Sequence, residues 1–168
     1  MSDEAERRYL FVAIDCATRR VFMDIYADQS DSCSSAFFNK VKMACPLTIV
    51  KLFTDNGSQF TDRFTRKKKD PVSGDHIPSG KHVFDVLCTQ LAIEHRHIPP
   101  RHPQTNGMVE RFNGRISKIV RQTRFGSRAE LESTLRNYLK IYNHNIPPAR
   151  PGQCNTDSGD EKMAGEEA

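Results

Sequence analysis

Apolar and polar residues alternate through the first part of the chain. Residues 9–15 form an apolar and β-branched run, and residues 21–27 place an apolar side chain at every second position. A period of two residues is typical of a strand with one buried face. Because only the short segment 16–19 and Arg20 separate the two runs, the sequence predicts a β-hairpin.

The spacing of apolar residues then changes to three or four in residues 34–44, which predicts a helix that closes before Pro46. A second β-rich run covers residues 47–53 and ends at an Asp-Asn-Gly turn. Residues 82–92 return to helical spacing, and residues 93–98 predict a short strand.

Two further helices are predicted after this strand. Residues 99–104 are rich in proline and are predicted to be extended. Residues 105–122 carry one apolar stripe of an amphipathic helix, and residues 127–143 repeat the pattern. The order β-β-α-β-α-β-α-α predicts a mixed α/β domain.

One domain accounts for most of the chain, because 168 residues leave room for a single sizeable core. We assign residues 9–147 to it and treat residues 1–8 as a charged leader. Residues 66–81 are basic and then rich in Gly, Pro and Ser, so they predict a flexible loop. Residues 148–168 are expected to be a disordered tail.

Composition narrows the class of protein. The chain is 37% hydrophobic and 27% charged, and it contains no apolar run of membrane-spanning length, so we expect a cytoplasmic protein without a membrane partner. Its cysteines are odd in number and never paired as C-x-x-C, which argues against a disulfide framework or a structural zinc site. They are Cys16, Cys33, Cys45, Cys88 and Cys154.

Charge is distributed unevenly. Residues 155–168 hold five acidic side chains against one lysine, a local charge of −4, so the rest of the chain carries +8 within a total of +4. A basic body suggests a polyanionic partner such as nucleic acid, although a solvated surface explains it equally well.

Two carboxylates are candidates for chemistry. Asp55 follows an apolar strand directly, where a carboxylate can hold a metal ion in a cleft; ordinary turn chemistry is the alternative. Glu110 lies off the apolar stripe of its helix beside the small or polar residues Asn106, Asn113 and Gly114. The alternative for Glu110 is an acidic residue favoured near a helix N-terminus.

Together the two segments are more specific than either alone. The segments YLFVAIDCATR, FTDNGSQF and HPQTNGMVERFNGR, with YNHNIP at residues 142–147, resemble the catalytic core of insertion-sequence DDE transposases and retroviral integrases. The resemblance runs from Tyr9 to about Ile146. It implies a ribonuclease-H-like fold in which three carboxylates hold two Mg²⁺ (or Mn²⁺) ions for DNA cleavage and strand transfer.

The resemblance gives Asp55 the second acidic position and Glu110 the third, with 54 residues between them. Residues 70–80 of the predicted loop account for this long gap. The first aspartate has no counterpart, because the family places it on a central strand ahead of Tyr9. Asp15 and Asp24 lie where the family has no catalytic role. We therefore expect weak or absent metal binding, an inactive chain, and a marginally stable sheet that lacks its first central strand.

Contacts to DNA are expected along and before the helix that carries Glu110. Cationic side chains spaced three or four residues apart suit phosphate contacts, and polar residues beside the two carboxylates suit contacts to bases or phosphate; a solvated surface is the alternative. The candidates are Asn56, Gln104, Thr105, Asn106, Arg111, Arg115 and Lys118. His95 and His97 share a strand face and are assigned to packing or to the surface.

The tail departs from the family after Pro147. Residues 155–164 can be back-translated so that a frame shifted by one base reads Thr-Pro-Ile-Gln-Ala, as the family would continue, and we expect a frameshift here. The overall interpretation is a truncated transposase copy whose partners are DNA and other transposase chains. The alternatives are a non-catalytic module that binds DNA or associates with transposase, and a ribonuclease-H-like nuclease completed by a second chain.

Overall fold

Eight elements follow one another in the predicted order. A computed structural model describes residues 7–64, 69–72, 74, 76–98 and 103–145, with side chains from residue 107 onward in the last range. The elements are β1 (Tyr9–Ile14), β2 (Val21–Tyr26), α1 (Asp31–Ala44), β3 (Lys51–Thr54), α2 (Val83–Gln90), β4 (Glu94–His97), α3 (Pro103–Gln122) and α4 (Arg128–Asn145). None of the helices in these ranges is long and apolar enough to cross a membrane.

Three elements begin two to four residues away from their predicted starts. Helix α1 begins before Ser34, because the hydroxyl of Ser30 accepts a hydrogen bond from the amide of Cys33 and caps a polar first turn that apolar spacing does not reveal. Strand β3 begins at Lys51 rather than at Leu47, which is half exposed. Helix α3 begins at Pro103, where the prediction of extended chain was wrong, because the fixed φ of proline suits a first helical turn.

Three apolar clusters form the core. Helix α1 contributes neighbouring phenylalanines to two of them. Phe37 packs with Phe11 of β1, whereas Phe38 packs with Phe84 of α2. Phe60 lies between these clusters, with its ring centroid 6.5 Å from that of Phe11 and 5.0 Å from that of Phe84. The third cluster packs α3 and α4 against the hairpin and contains Val21, Phe112, Ile116 and Leu135.

The strands form two separate two-stranded sheets among the described residues, an antiparallel β1–β2 pair and a parallel β3–β4 pair. The amide of Asp15 donates to the carbonyl of Arg20 (2.9 Å), which fixes the phase of the hairpin ladder. The peptide groups of Leu10, Val12 and Ile14 therefore point away from β2.

The β3–β4 pair presents a similar edge. The amides of Glu94 and Ile98 donate to the carbonyls of Val50 and Thr54 (both 2.9 Å), so the peptide groups of Phe53 point away from β4. Neither outer edge has a strand partner within the described part of the chain. Phe37 of α1 packs with the β1–β2 pair and Phe38 packs with residues around the β3–β4 pair, while the lack of a central strand stays a prediction.

The outer edge of β2 is covered differently. The side chain of Asn143 on α4 accepts from the amide of Val21 and donates to its carbonyl, each at 2.8 Å. Val21 is 1% exposed, so water cannot replace these bonds. One amide side chain thus takes the place of a neighbouring strand and fixes α4 against the hairpin.

Replacing Asn143 by alanine leaves both polar groups of a buried peptide unsatisfied. We expect Asn143→Ala to lower the free energy of unfolding by about 1–3 kcal/mol, measured by urea denaturation. The control is Asn137→Ala, an exposed residue of the same helix, for which we expect a change within about 0.5 kcal/mol. Equal effects of the two substitutions would contradict this account of the edge.

Candidate active site and nucleic-acid interface

Asp55 lies at the first position after β3 and is exposed. Its Oδ1 accepts a hydrogen bond from the amide of Gly57 (2.9 Å), which closes a turn of the Asx type. Asp55 therefore has the turn-forming role that was the alternative to metal binding, but this role uses only one of its two carboxylate oxygens. An exposed carboxylate with the other oxygen remaining is still suited to a hard divalent cation.

Asn56 holds the loop after β3 in place. Its Nδ2 donates to the carbonyl of Ile98 (2.8 Å), and its Oδ1 accepts from the Arg63 guanidinium (3.2 Å). These bonds connect the carboxyl ends of the parallel strands β3 and β4. A DNA contact by Asn56 remains a prediction, and it would have to share an amide that already has structural partners.

Glu110 lies on the solvent side of α3. Phe112 and Ile116, which are 1% and 5% exposed, form the buried side of the helix, whereas Glu110 is exposed. One turn further on, a side chain at Gly114 would meet nothing within 4 Å. The surface of α3 is therefore open at Gly114, one turn beyond Glu110.

The basic residues of α3 are also exposed. Arg111, Arg115 and Lys118 follow Glu110 at helical spacing. The guanidinium of Arg115 lies over the ring of Tyr142 on α4, 5.5 Å from its centroid. We call Arg111, Arg115 and Lys118 the basic face. The predicted DNA contacts at residues 104–106 lie outside the described side chains, although their backbone belongs to α3.

The two other aspartates weighed for the first acidic position have local roles. Asp15 accepts hydrogen bonds from the amides of Ala17 and Thr18 in the hairpin turn. Asp24 forms an ion pair with Lys40 of α1. Burial opposes ionisation of Asp24, but the hydrogen bonds and charge of Lys40 outweigh it and hold the Asp24 pKa below its ordinary value.

Within the described ranges, neither Asp55 nor Glu110 belongs to a cluster of three metal-binding side chains. The group that does form such a cluster is Asp85, His95 and His97. The Nδ1 of His95 lies 2.5 Å from Asp85 Oδ1, and its Nε2 lies 2.8 Å from the Thr54 hydroxyl. The spacing of His95 and His97 predicts a shared strand face with a role in packing or at the surface, but no pattern in the sequence includes Asp85, which lies on α2.

Burial of the cluster shifts the pKa of His97. Burial lowers the pKa of His97 below its ordinary value of 6.5, and the neighbouring His95 lowers it further. The charge of Asp85 opposes these effects, while Arg63 and His82 add to them. His97 is therefore neutral in the folded protein over a range where it would be protonated in the unfolded chain.

Comparison with known proteins agrees with this geometry. The family model of the integrase core domain matches residues 91–149, which contain Glu110 and the basic face. A protein of Spiroplasma virus SpV1-C74 whose name describes it as an integrase is 27% identical over 143 residues, covering 82% of this chain and 38% of that protein. The chain thus spans well under half the length of that relative.

A solved structure shares the fold. The catalytic core domain of BIV integrase superimposes with a TM-score of 0.56 at 19% identity, covering 83% of this chain and 78% of that one. The fold is that of integrase catalytic cores, ribonuclease-H-like and mixed α/β. The chain is therefore similar to integrase cores in sequence over residues 91–149 and shares their fold over most of its length.

The lowered pKa of His97 predicts a pH-dependent stability. At pH values between the His97 pKa of the folded protein and 6.5, the unfolded chain binds more protons at this histidine than the folded protein does. Acidification therefore favours unfolding: the contribution of neutral His97 to stability is complete above pH 6.5 and is lost as the pH falls. We expect the free energy of unfolding of the unaltered chain to fall more steeply with acidification than that of His97→Gln.

Urea denaturation at a series of pH values would test this difference. The control is His144→Gln at the exposed end of α4, which should keep the pH dependence of the unaltered chain. Parallel curves for the unaltered chain and His97→Gln would contradict the lowered pKa.

Proposed function

We propose that this chain acts on DNA as part of a transposase or integrase of the DDE type. The reaction of the intact family is metal-dependent phosphodiester cleavage and strand transfer, used in DNA integration and transposition. The observation that supports the proposal most directly is on α3. The segment matched to the integrase core domain carries an exposed Glu110 beside the exposed basic face.

The basic face would bind the DNA backbone. Guanidinium and ammonium groups neutralise phosphates and release counterions, which gives affinity without sequence information. Arg111 and Lys118 are exposed on α3, whereas Phe112 and Ile116 of the same helix are buried. DNA bound there would lie beside Glu110, and this is where a strand to be cleaved would have to be.

The metal requirement is met only in part. Asp55 and Glu110 offer the carboxylate oxygens that Mg²⁺ or Mn²⁺ prefers. No third acidic side chain gathers with them in the described part of the chain, so two ions would lack the ligands that in-line displacement needs. We therefore derive no catalytic step for this chain alone and expect its metal binding there to be weak or absent.

Removing the basic face should change the salt dependence of DNA binding. We expect Arg111→Gln with Lys118→Gln to bind duplex DNA more weakly at every sequence. The slope of log affinity against log salt should become shallower by about 1 for each lost phosphate contact. Fluorescence anisotropy of a labelled duplex across a salt series measures both quantities.

The matched control removes the same charge from another helix. Arg136→Gln with Lys140→Gln takes two exposed cations from α4 and should leave the slope unchanged. If this control weakens binding as much as the α3 variant, net charge and not the basic face binds DNA. In the same samples with Mg²⁺ or Mn²⁺, we expect no cleavage; cleavage that Asp55→Asn abolishes would show that the two carboxylates suffice.

A second candidate function is a non-catalytic module that binds DNA or associates with transposase chains. The observation that favours it is the pair of outer edges on β1 and β3, which can accept a strand from another polypeptide. Metal-dependent strand transfer by the chain would support the enzyme. Salt-sensitive DNA binding without cleavage, or capture of an integrase-type strand between β1 and β3, would support the module.

A further inference from the structure

A buried polar cluster contains one carboxylate oxygen without a hydrogen-bond partner and one long histidine contact to the same carboxylate. Oδ2 of Asp85 is inaccessible to water and accepts no hydrogen bond. Nε2 of His97 lies 3.9 Å from Oδ1 of the same aspartate, too far for a hydrogen bond. The side chains of Asp85, His95 and His97 are only 14%, 5% and 12% exposed. Buried polar atoms of this kind require an explanation.

Three elements bring these groups together. His95 and His97 are two residues apart on β4, so their side chains leave the same face of the strand, with ring centroids 4.5 Å apart. The tight turn from α2 to β4 passes through Ala92, whose φ is +54°. This turn returns the chain so that Asp85, in the first turn of α2, covers the two rings.

We propose that Asp85, His95 and His97 bind a Zn²⁺ ion. One atom from each side chain can be chosen so that all three lie within 4.8 Å of one another. Zinc bonds to histidine nitrogen and carboxylate oxygen are about 2.0–2.2 Å long, so ligand atoms around one tetrahedral ion lie roughly 3.3 Å apart. Nε2 of His97 would approach Asp85 from 3.9 Å, and the 2.5 Å hydrogen bond between His95 and Asp85 would open to admit the ion. Two imidazoles and a carboxylate are a donor set that favours zinc over Mg²⁺.

Thr54 supplies the partner that zinc-binding histidines need. With Nδ1 of His95 on the metal, its Nε2–H donates to the Thr54 hydroxyl at 2.8 Å. With Nε2 of His97 on the metal, its Nδ1–H faces the same hydroxyl at 3.4 Å. A hydroxyl oxygen can accept both bonds, so a single threonine fixes the tautomer and ring orientation of both histidines.

The protonation states also suit a metal. A ligand imidazole must be neutral, and the lowered pKa of His97 reduces competition by protons. Burial, with a contribution from Asp85, raises the pKa of Cys88 to about 11, and Cys88 does not belong to the group of side chains whose ligand atoms lie together. Arg63 and His82 also lower the pKa of His97, and their positive charge weakens the attraction of the site for a cation. The buried carboxylate of Asp85 opposes this effect.

Calorimetric titration of the chelator-treated full chain with ZnCl₂ tests the proposal. We expect one Zn²⁺ per chain. Substituting a residue that only hydrogen-bonds to a metal ligand weakens metal binding by about 10- to 100-fold. Asp85→Asn and His97→Gln remove a ligand itself, so each should weaken Zn²⁺ binding by more than this. His144→Gln and Asp55→Asn should leave affinity and stoichiometry unchanged, and Asp55→Asn separates this site from the carboxylates of the proposed function.

NMR of the histidine rings in the unaltered chain tests the proposal without relying on the folding of any variant. Zinc should shift the ring resonances of His95 and His97 and leave those of His144 in place. The proposal is overturned if the chain binds no Zn²⁺, if either variant that keeps its circular dichroism spectrum binds zinc as the unaltered chain does, or if His144→Gln or Asp55→Asn removes the binding.

Discussion

The packing of two adjacent phenylalanines of α1 against two different sheets is the interaction on which the rest of the structure depends. Phe37 packs on the β1–β2 hairpin, Phe38 packs with α2 over the β3–β4 pair, and Phe60 fills the space between the two clusters. No ladder of hydrogen bonds joins the two sheets within the described residues. Burial of apolar side chains therefore holds the sheets together, where a continuous sheet would also use backbone hydrogen bonds. A fold held in this way keeps the integrase-core architecture but leaves two strand edges to be satisfied.

The same arrangement determines what the candidate site can do. Asp55 depends on the position of β3, which Asn56 and Thr54 connect to β4, whereas Glu110 depends on α3, which packs through Phe112 on the hairpin side. The two carboxylates therefore belong to halves of the molecule that share no strand ladder. Small changes between the halves would alter their separation, and this is a physical reason to expect weak metal binding even with both residues present.

Periodicity predicted all eight elements and the solvent-facing position of Glu110, because both follow from which side of a helix or strand is apolar. It did not predict the start of α1, which depends on the hydroxyl of Ser30, or the start of α3 at Pro103. The cap on Val21 depends on Asn143, 122 residues away, and the Asp85 cluster depends on the turn at Ala92. Such contacts join polar residues that share no local pattern, so a single sequence does not reveal them.

The central claim is that β1 and β3 present edges that have no strand partner among the described residues. Hydrogen–deuterium exchange of the β1 amides tests this claim most directly. Residue-resolved exchange of the full chain should show slow exchange at Phe11 and Ala13, whose amides face β2. Leu10, Val12 and Ile14, whose amides face away from β2, should exchange quickly. Equal protection of all five amides would contradict the account, because it would show that the outer edge of β1 is hydrogen-bonded in the folded protein.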